Sequence, residues 1–265
     1  MNTLLTVDWD FFVPEKSIEW DLGHREADVY LKMMWTFRAH LMSEMKLNGL
    51  EKDFWQHLPK KVLSKRRDIF VSDSHLFAYH LTADVDHVIL VDRHHDCFDW
   101  PTFKQLYKGA PYQVDCGNWA AVWLSKEKHR RLTWVYPDDL NDISEDIDFK
   151  IEPGRKERFT ALSYTEFRKW APMFVRPKTM DITVHVCRSG CWTPPWLDMQ
   201  FCDFVVASGL KMQVMQTGVW DPMVYRWNLD DYQTAERVYE ETERLRKQRR
   251  KESYADEFCV HHNQD

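Results

Sequence analysis

The chain is expected to fold as an α/β protein, three layers deep, with a mostly parallel central sheet between layers of helix. Three observations point there. Short apolar, strand-like runs alternate with stretches of helical spacing along the 265 residues, the pattern that builds a parallel sheet covered on both faces. Two of those runs end in acidic clusters, Asp8-x-Asp10 and Asp92-x-His94-x-Asp96, and in open α/β sheets ligands sit beyond the carboxyl ends of the strands. The composition, 44% apolar and 29% charged, is that of an ordinary globular chain long enough to bury a full core.

Taken in order, the first strand covers residues 3–8 and runs through Leu4-Leu5-Thr6-Val7 into Asp8. An irregular stretch with Pro14 and Gly23 follows. Residues 25–47 then place Val29, Met33, Phe37, Leu41 and Met45 four apart, one face of a helix. Asp68–Ser72 is a short strand, and Asp73-Ser74-His75 opens a helix through Leu81 that Asp73 or Ser74 can cap. The strand at 87–92 precedes a loop at 97–112 rich in aromatics, Gly and Pro. Gly117-Asn118-Trp119 leads into an apolar helix through Leu124, and Leu132–Tyr136 is a strand stopped by Pro137. The acidic, polar segment 138–157 is an excursion from the sheet. Phe159–Leu162 and Ile182–Val186 are further strands, and the run Phe204–Ala207, beyond Pro194-Pro195, could be another. Residues 230–252 form a long charged helix with Glu240–Arg244 and Glu243–Lys247 as i,i+4 pairs. No repeat, linker or break in composition divides the chain, so a single domain is expected over 1–252, with 253–265 as a flexible tail.

Charge and hydropathy exclude several classes. A net charge of −6 argues against a general nucleic-acid binder. No apolar run approaches the ~18 residues that span a bilayer. The N-terminus enters strand-like sequence with no basic stretch before it, so no secretory signal and a cytoplasmic setting are expected. The six cysteines include no Cys-x-x-Cys pair and are expected to be reduced, buried thiols. Cys187-x3-Cys191 beside His185 could form half a zinc site, but a second ligand pair is not in view.

The chemistry lies in the two acidic strand ends. Side chains alternate along a strand, so Asp92, His94 and Asp96 are expected to project to one side while His95 points to the other. Carboxylates and imidazoles together are hard-to-borderline ligands suited to Mn, Fe or Zn. Adding Asp8, Asp10 and His75 gives four carboxylates and two imidazoles, an inventory for two ions rather than one. Such a cluster raises its own carboxyl pKa values unless cations compensate it. Against this stands the plainer reading of each Asp as a turn former or helix cap, and of His75 as a packed histidine.

These residues resemble a known family. Asp92-Arg93-His94-His95-Asp96 after an apolar strand resembles the Asp-x-His-x-Asp signature of the ureohydrolases (arginase, agmatinase and relatives of the deacetylase fold). Val71-Ser72-Asp73-Ser74-His75 resembles their Gly-Gly-Asp-His motif. Thr6-Val7-Asp8-Trp9-Asp10 resembles their Ser-x-Asp-x-Asp motif, and Gly117-Asn118-Trp119 resembles the Gly-Asn element that lines the substrate pocket. The order is permuted, because here the Asp-x-Asp pair comes first. The glycines before the upstream histidine are missing, and the family's proton-carrying histidine would fall near Ala120 or Ala121. The pattern looks most like an atypical arginase-like branch that includes peptide arginases.

That resemblance implies an arginase-like fold binding two Mn(II), with Asp92 and Asp8 bridging them. His75 and Asp96 would complete one site, and His94 and Asp10 the other. It implies hydrolysis of an arginine guanidino group, in an arginine-containing peptide, to ornithine and urea. Asp96 would orient the attacking water and relay its proton; His24, His95 and His185 are unranked candidates for a further proton carrier. Asn118 would line the pocket. Glu15, Asp99 and Asp198 are candidates for the carboxylate that receives the guanidinium fork. Arg188-Ser189-Gly190 is either a pocket loop or a tight turn. Trp9, Trp100, Trp119 and Trp192 flank the motifs and could wall a cleft or belong to the core. Three alternatives stay open: a one-zinc deacetylase of the same fold, an aspartyl phosphatase using Asp8 and Mg, and a peptide-binding module without activity.

Overall fold

Two strands are buried along almost their whole length. In β1 (Asn2–Asp8) every residue after Asn2 is inaccessible, and in β3 (His87–Val91) all five are. Continuous burial of that kind belongs to parallel strands covered on both faces. The computed structural model describes residues 2–14, 35, 45–58, 68–97, 114–140, 156–174 and 181–215. Within them β1 and β3 join β2 (Asp68–Ser72), β4 (Arg131–Tyr136), β5 (Phe159–Ser163), β6 (Asp181–Cys187) and β7 (Lys211–Val214). The seven strands form one sheet in the order β5-β4-β3-β1-β6-β2-β7, every pairing parallel. β1 therefore enters the middle of the sheet, with Val7 opposite Val91 of β3 and Asp8 opposite Cys187 of β6.

Alternation along the strands separates two cores. Leu4, Val88, Leu90 and Trp134 pack with α1 (Leu76–His80) and α2 (Trp119–Lys126), through Ala78, Trp119, Ala120, Trp123 and Leu124. Leu5, Val7, Ile89 and Val91 face the other way, onto α3 (Tyr164–Phe174) and α4 (Asp198–Ala207). The fold is α/β, with helices against both faces of one parallel sheet. The second core is strongly aromatic. Trp9, Phe12, Phe54 and Trp55 surround Phe204 with ring centroids 4.8–5.9 Å apart across the cluster, and the Trp55 indole donates to the Phe204 carbonyl at 2.7 Å.

The structure corrects three expectations. Phe204–Ala207 is the last turn of α4, not a strand. Phe201, Phe204 and Val205 are buried while Val206 is 74% exposed, the three-to-four-residue spacing of a helix face. A four-residue apolar run is too short to show which period applies. Strand β7 was not foreseen, because Lys211-Met212-Gln213-Val214 is an edge strand with little burial and so little apolar pattern. The helix expected over 25–47 has ended by Met45: residues 45–48 carry no regular structure, and the Asn48 N–H donates to the Phe12 carbonyl at 2.8 Å. Of the rest of that segment only Trp35, helical, is described. The loop beyond Cys97, the helix at 230–252 and the tail at 253–265 lie outside the described residues. Among the described residues no helix is long and apolar enough to cross a membrane.

The helical reading of α4 has a direct consequence. Phe204→Ala should cost about 3–5 kcal/mol by opening the aromatic core, whereas Val206→Ala should change stability by less than ~0.5 kcal/mol. Urea denaturation of the two variants against the parent chain measures both, and equal losses would contradict the assigned faces.

Candidate metal centre

The two central strands deliver the acidic residues side by side. Because Val7 and Val91 are register partners, Asp8 and Asp92 emerge next to each other at the carboxyl end of the sheet. Asp8 then caps the 3-10 turn Trp9–Phe12, accepting the Asp10 N–H at 3.2 Å. That turn carries Asp10 back over the strand end, fully buried. His75 arrives from the turn between β2 and α1, where the Ser74 hydroxyl accepts the Leu76 N–H at 3.2 Å.

The Asp92-x-His94-x-Asp96 triplet converges, but not by strand alternation. β3 ends at Val91, and the next five residues form a turn. Asp92 Oδ1 accepts the His94 N–H at 2.8 Å, and His95 Nδ1 accepts the Cys97 N–H at 2.9 Å. Asp96 sits at φ 49°, a left-handed conformation that costs an ordinary residue energy but is commonest among Asn and Asp. It is held there by α2: the Asp96 carbonyl accepts the N–H groups of Ala120 and Ala121 at 3.2 and 3.4 Å, and the Trp119 indole donates to Asp96 Oδ2 at 2.5 Å.

His75 Nδ1 faces three carboxylates at once, 2.9 Å from Asp92 Oδ2, 2.9 Å from Asp96 Oδ2 and 3.2 Å from Asp8 Oδ2. His94 Nδ1 lies 3.1 Å from Asp10 Oδ2 and 3.8 Å from Asp92 Oδ1. Two groups of ligand atoms result, Asp8/His75/Asp92 and Asp10/Asp92/His94, each with its atoms within 4.8 Å of one another. Asp92 belongs to both, one oxygen turned to each. Asp10 is fully buried, and the close neighbour of its carboxylate is the His94 imidazole, 3.1 Å from Oδ2. Buried carboxylate oxygens are normally satisfied, so the donor set fits divalent cations: carboxylate oxygens that only accept, and two imidazoles whose protons are the cluster's own positive charge and whose lone pairs a cation could take in their place.

The electrostatics tell the same story. Burial, then the neighbouring Asp10, pushes the Asp8 carboxyl up to about 6. Burial, then Asp96, Asp10 and Asp8, raises Asp92 well above the usual carboxylate range. Burial works against the His94 cation, but Asp10, with Asp92 and Asp96 behind it, lifts that imidazole to about 10. Burial opposes His75 in the same way, and Asp96 with the bonds to Asp8 and Asp92 raises it well above an ordinary histidine. Asp10 is lowered despite its burial, chiefly by His94, with help from Arg93. Without metal, then, the cluster retains protons on its imidazoles and competes poorly for its full negative charge.

The remaining predicted residues fall outside this convergence. His95 is buried with its ring edge-on to Trp134, 5.5 Å between centroids. Asn118 is buried, and its Oδ1 accepts the Asp115 N–H at 3.0 Å. Arg188 and Asp198 hold each other: Nε and Nη2 donate to Oδ1 and Oδ2 at 2.8 and 3.1 Å, while Nη1 donates to Asp73 Oδ1 at 2.9 Å. This buried triad ties the end of β6 to α4 and to the loop that presents His75. The Arg188-Ser189-Gly190 segment is a tight turn, with Ser189 at φ 56° and no room for a Cβ at Gly190 against Arg188 and Asp73. Among the described residues Cys187, Cys191 and His185 do not form a ligand group, and Cys97, Cys116, Cys187, Cys191 and Cys202 form no disulfide with one another. Trp9 is core, Trp119 packs on His75 with centroids 5.3 Å apart, and Trp192 lies 5.2 Å from the His94 ring. Glu15, His24, Asp99 and Trp100 lie outside the described residues.

One contribution escaped sequence reading. Thr6 and His185 stand on neighbouring strands and back His75 from behind, with Thr6 Oγ1 2.7 Å from His75 Nε2 and 2.8 Å from His185 Nδ1. By sequence His185 is a candidate proton carrier and Thr6 the first residue of a motif, but nothing in the local sequence pairs them behind His75; only the β1–β6 register places them together.

The fold and site define a class, an α/β protein with a buried carboxylate–imidazole cluster at the carboxyl edge of a parallel sheet. Comparison adds no relative to that description: no family model matches the chain, and no curated protein or solved structure does.

The raised His94 pKa links the centre to stability. An unfolded histidine titrates near 6.5, so a folded value of about 10 adds stability that is complete below pH 6.5 and is lost as pH rises through 10. In chelator, the urea midpoint should therefore fall steadily from pH 6.5 to 10. Asp10→Asn, which removes the main partner of His94, should flatten that fall. A midpoint independent of pH in the parent chain would contradict the ion-pair assignment.

Proposed function

We propose that the protein is a binuclear metal hydrolase that binds two Mn(II) and cleaves the guanidino group of arginine, within a peptide, to give ornithine and urea. The observation that carries this reading is Asp92. Its Oδ2 faces the His75 group and its Oδ1 the His94 group, as a carboxylate shared by two ions must. The donor atoms are oxygen and imidazole nitrogen without thiolate, which suits Mn(II) better than a softer metal. Asp8, Asp92, His75 and Asp96 would hold one ion, and Asp10, Asp92 and His94 the other, with Asp8 close enough to the pair to share. Divalent ions bound by these residues would supply Lewis acidity and lower the pKa of a coordinated water toward neutrality.

The chain's own residues divide the remaining work. Asp96 is anchored by Trp119 and α2 with its carboxylate edge toward the cluster, so it can orient the attacking water and hold the proton that passes to the leaving amine. His94 is the open side of the site. Its side chain is 31% exposed while those of Asp8, Asp10, His75, Asp92 and Asp96 are 6% or less, so substrate approaches over His94. Trp192 stands beside that opening, and an indole face attracts a planar guanidinium. The assignment to arginine, and to a peptide rather than the free amino acid, rests on the likeness of the four motifs to the atypical arginase-like branch. Their permuted order is compatible with this sheet, because a strand from either terminus can occupy its centre, as β1 does.

Metal analysis after reconstitution should find two Mn(II) per chain, and the loaded protein should release urea from an arginine-containing peptide. Asp92→Asn should lower bound metal and abolish urea release. One zinc per chain would move the protein to a deacetylase-like chemistry, urea from free arginine alone would remove the peptide, and unchanged metal content in Asp92→Asn would end the two-ion reading.

A further inference from the structure

We propose that His185, acting through Thr6, is a positioning residue that locks His75 in the tautomer whose Nδ1 lone pair points into the carboxylate cluster. The inference rests on the metal-centre reading above and extends it to a residue that touches no ligand atom of the centre except through Thr6.

The sheet register builds the device. Thr6 and His185 are Cα partners across β1 and β6, so their side chains stand on the same face. Ser72 lies two residues beyond Phe70, the β2 partner of His185, and so shares that face as well. The resulting chain is continuous and sealed from solvent. His75 Nε2 is 2.7 Å from Thr6 Oγ1, Thr6 Oγ1 is 2.8 Å from His185 Nδ1, and His185 Nε2 is 2.9 Å from Ser72 Oγ. Ser72 Oγ in turn donates to the Ser74 carbonyl at 2.7 Å.

That last bond sets the direction of all the others. A carbonyl accepts only, and a serine hydroxyl has one proton, so Ser72 spends it on Ser74 and must accept from His185. His185 therefore carries Nε2–H. Among the described residues no carboxylate touches this ring, and it is fully buried and stacked on His75 with centroids 5.9 Å apart, so a second proton would place a cation beside the cluster's own imidazole without a described counter-charge. The Nδ1 of His185 is then an acceptor, and Thr6 donates to it. The single Thr6 proton is used, so Thr6 accepts from His75 Nε2–H. The remaining His75 nitrogen, Nδ1, is the one aimed at Asp8, Asp92 and Asp96. A neutral His75 can then present only a lone pair there, which a cation must meet. A carbonyl at one end of the chain thus dictates the ligand nitrogen at the other. The Ser74 carbonyl belongs to the same turn that carries His75, which closes the chain into a ring and fixes the height of that turn above the sheet.

Histidine spectra of the parent and Mn(II) binding by four variants test this. Nitrogen-15 histidine spectra of the metal-free parent protein should show His185 neutral, protonated at Nε2 and accepting at Nδ1; a proton on Nδ1 would overturn the proposal without any variant. Thr6→Val, which keeps the shape and removes the hydroxyl, should weaken Mn(II) binding by about 10–100-fold, the usual effect of losing a support behind a metal-bound histidine. Thr6→Ser should restore binding to within about threefold. His185→Phe should reproduce the Thr6→Val loss, and the double variant should lose no more than either, since both act along one chain. Mn(II) binding by Thr6→Val equal to that of the parent would overturn the relay while leaving the metal centre intact. A parent chain that binds no Mn(II) would overturn the centre and the relay together.

Discussion

Four carboxylates, those of Asp8, Asp10, Asp92 and Asp96, are gathered in the interior around two imidazoles, and the structure as a whole is arranged to tolerate that concentration of charge. Buried like charges raise one another's proton affinity, as they do for Asp8 and Asp92. Such a cluster persists only where rigid backbone leaves the groups no room to separate and where compensating charge can enter. Both conditions hold at the carboxyl edge of this sheet. β1 and β3 are central strands packed on both faces, so Asp8 and Asp92 cannot drift apart without disrupting two cores. The protons retained by His75 and His94 balance part of that charge, a part that a bound cation could take over.

The parts around the cluster divide between holding and opening. Holding is assigned to α2, which grips Asp96 through Trp119 and two backbone N–H groups, and to the Arg188–Asp73–Asp198 triad, which braces the loop before His75. Arg188 fits this role better than a substrate-binding one, because its guanidinium is already spent on two carboxylates. Opening falls to His94, the exposed member of the cluster, with Trp192 beside it. The proposed hydrolysis would need this asymmetry, with a centre rigid and dry on one side and accessible on the other.

A reading from periodicity alone found most of the sheet. β1, β2, β3, β4 and β6 coincide with apolar runs that the sequence displays, because central parallel strands must be apolar on both faces, and the edge strand β5 shows through its own short apolar run at Phe159–Leu162. It lost β7, an edge strand whose Lys211-Met212-Gln213-Val214 shows no apolar run, and misjudged the end of α4, where the four residues Phe204–Ala207 satisfy a strand and a helix equally well. In both cases burial imposed no legible pattern over a window long enough to decide.

The candidate metal residues show where local sequence stops being sufficient. Asp8, Asp10, His75, Asp92, His94 and Asp96 could be singled out because each sits at the end of an apolar strand or the start of a helix, and chain chemistry alone puts polar ligands there. How Asp92, His94 and Asp96 converge could not be read, since the strand stops at Val91 and a left-handed residue at Asp96 takes over the geometry. Nor could Thr6 and His185 be linked, 179 residues apart, without the parallel register that sets them side by side. Identity of the ligands is a property of residue type and position along a strand. Which nitrogen of His75 faces them is a property of a hydrogen-bond chain across three strands, and it exists only once those strands have paired.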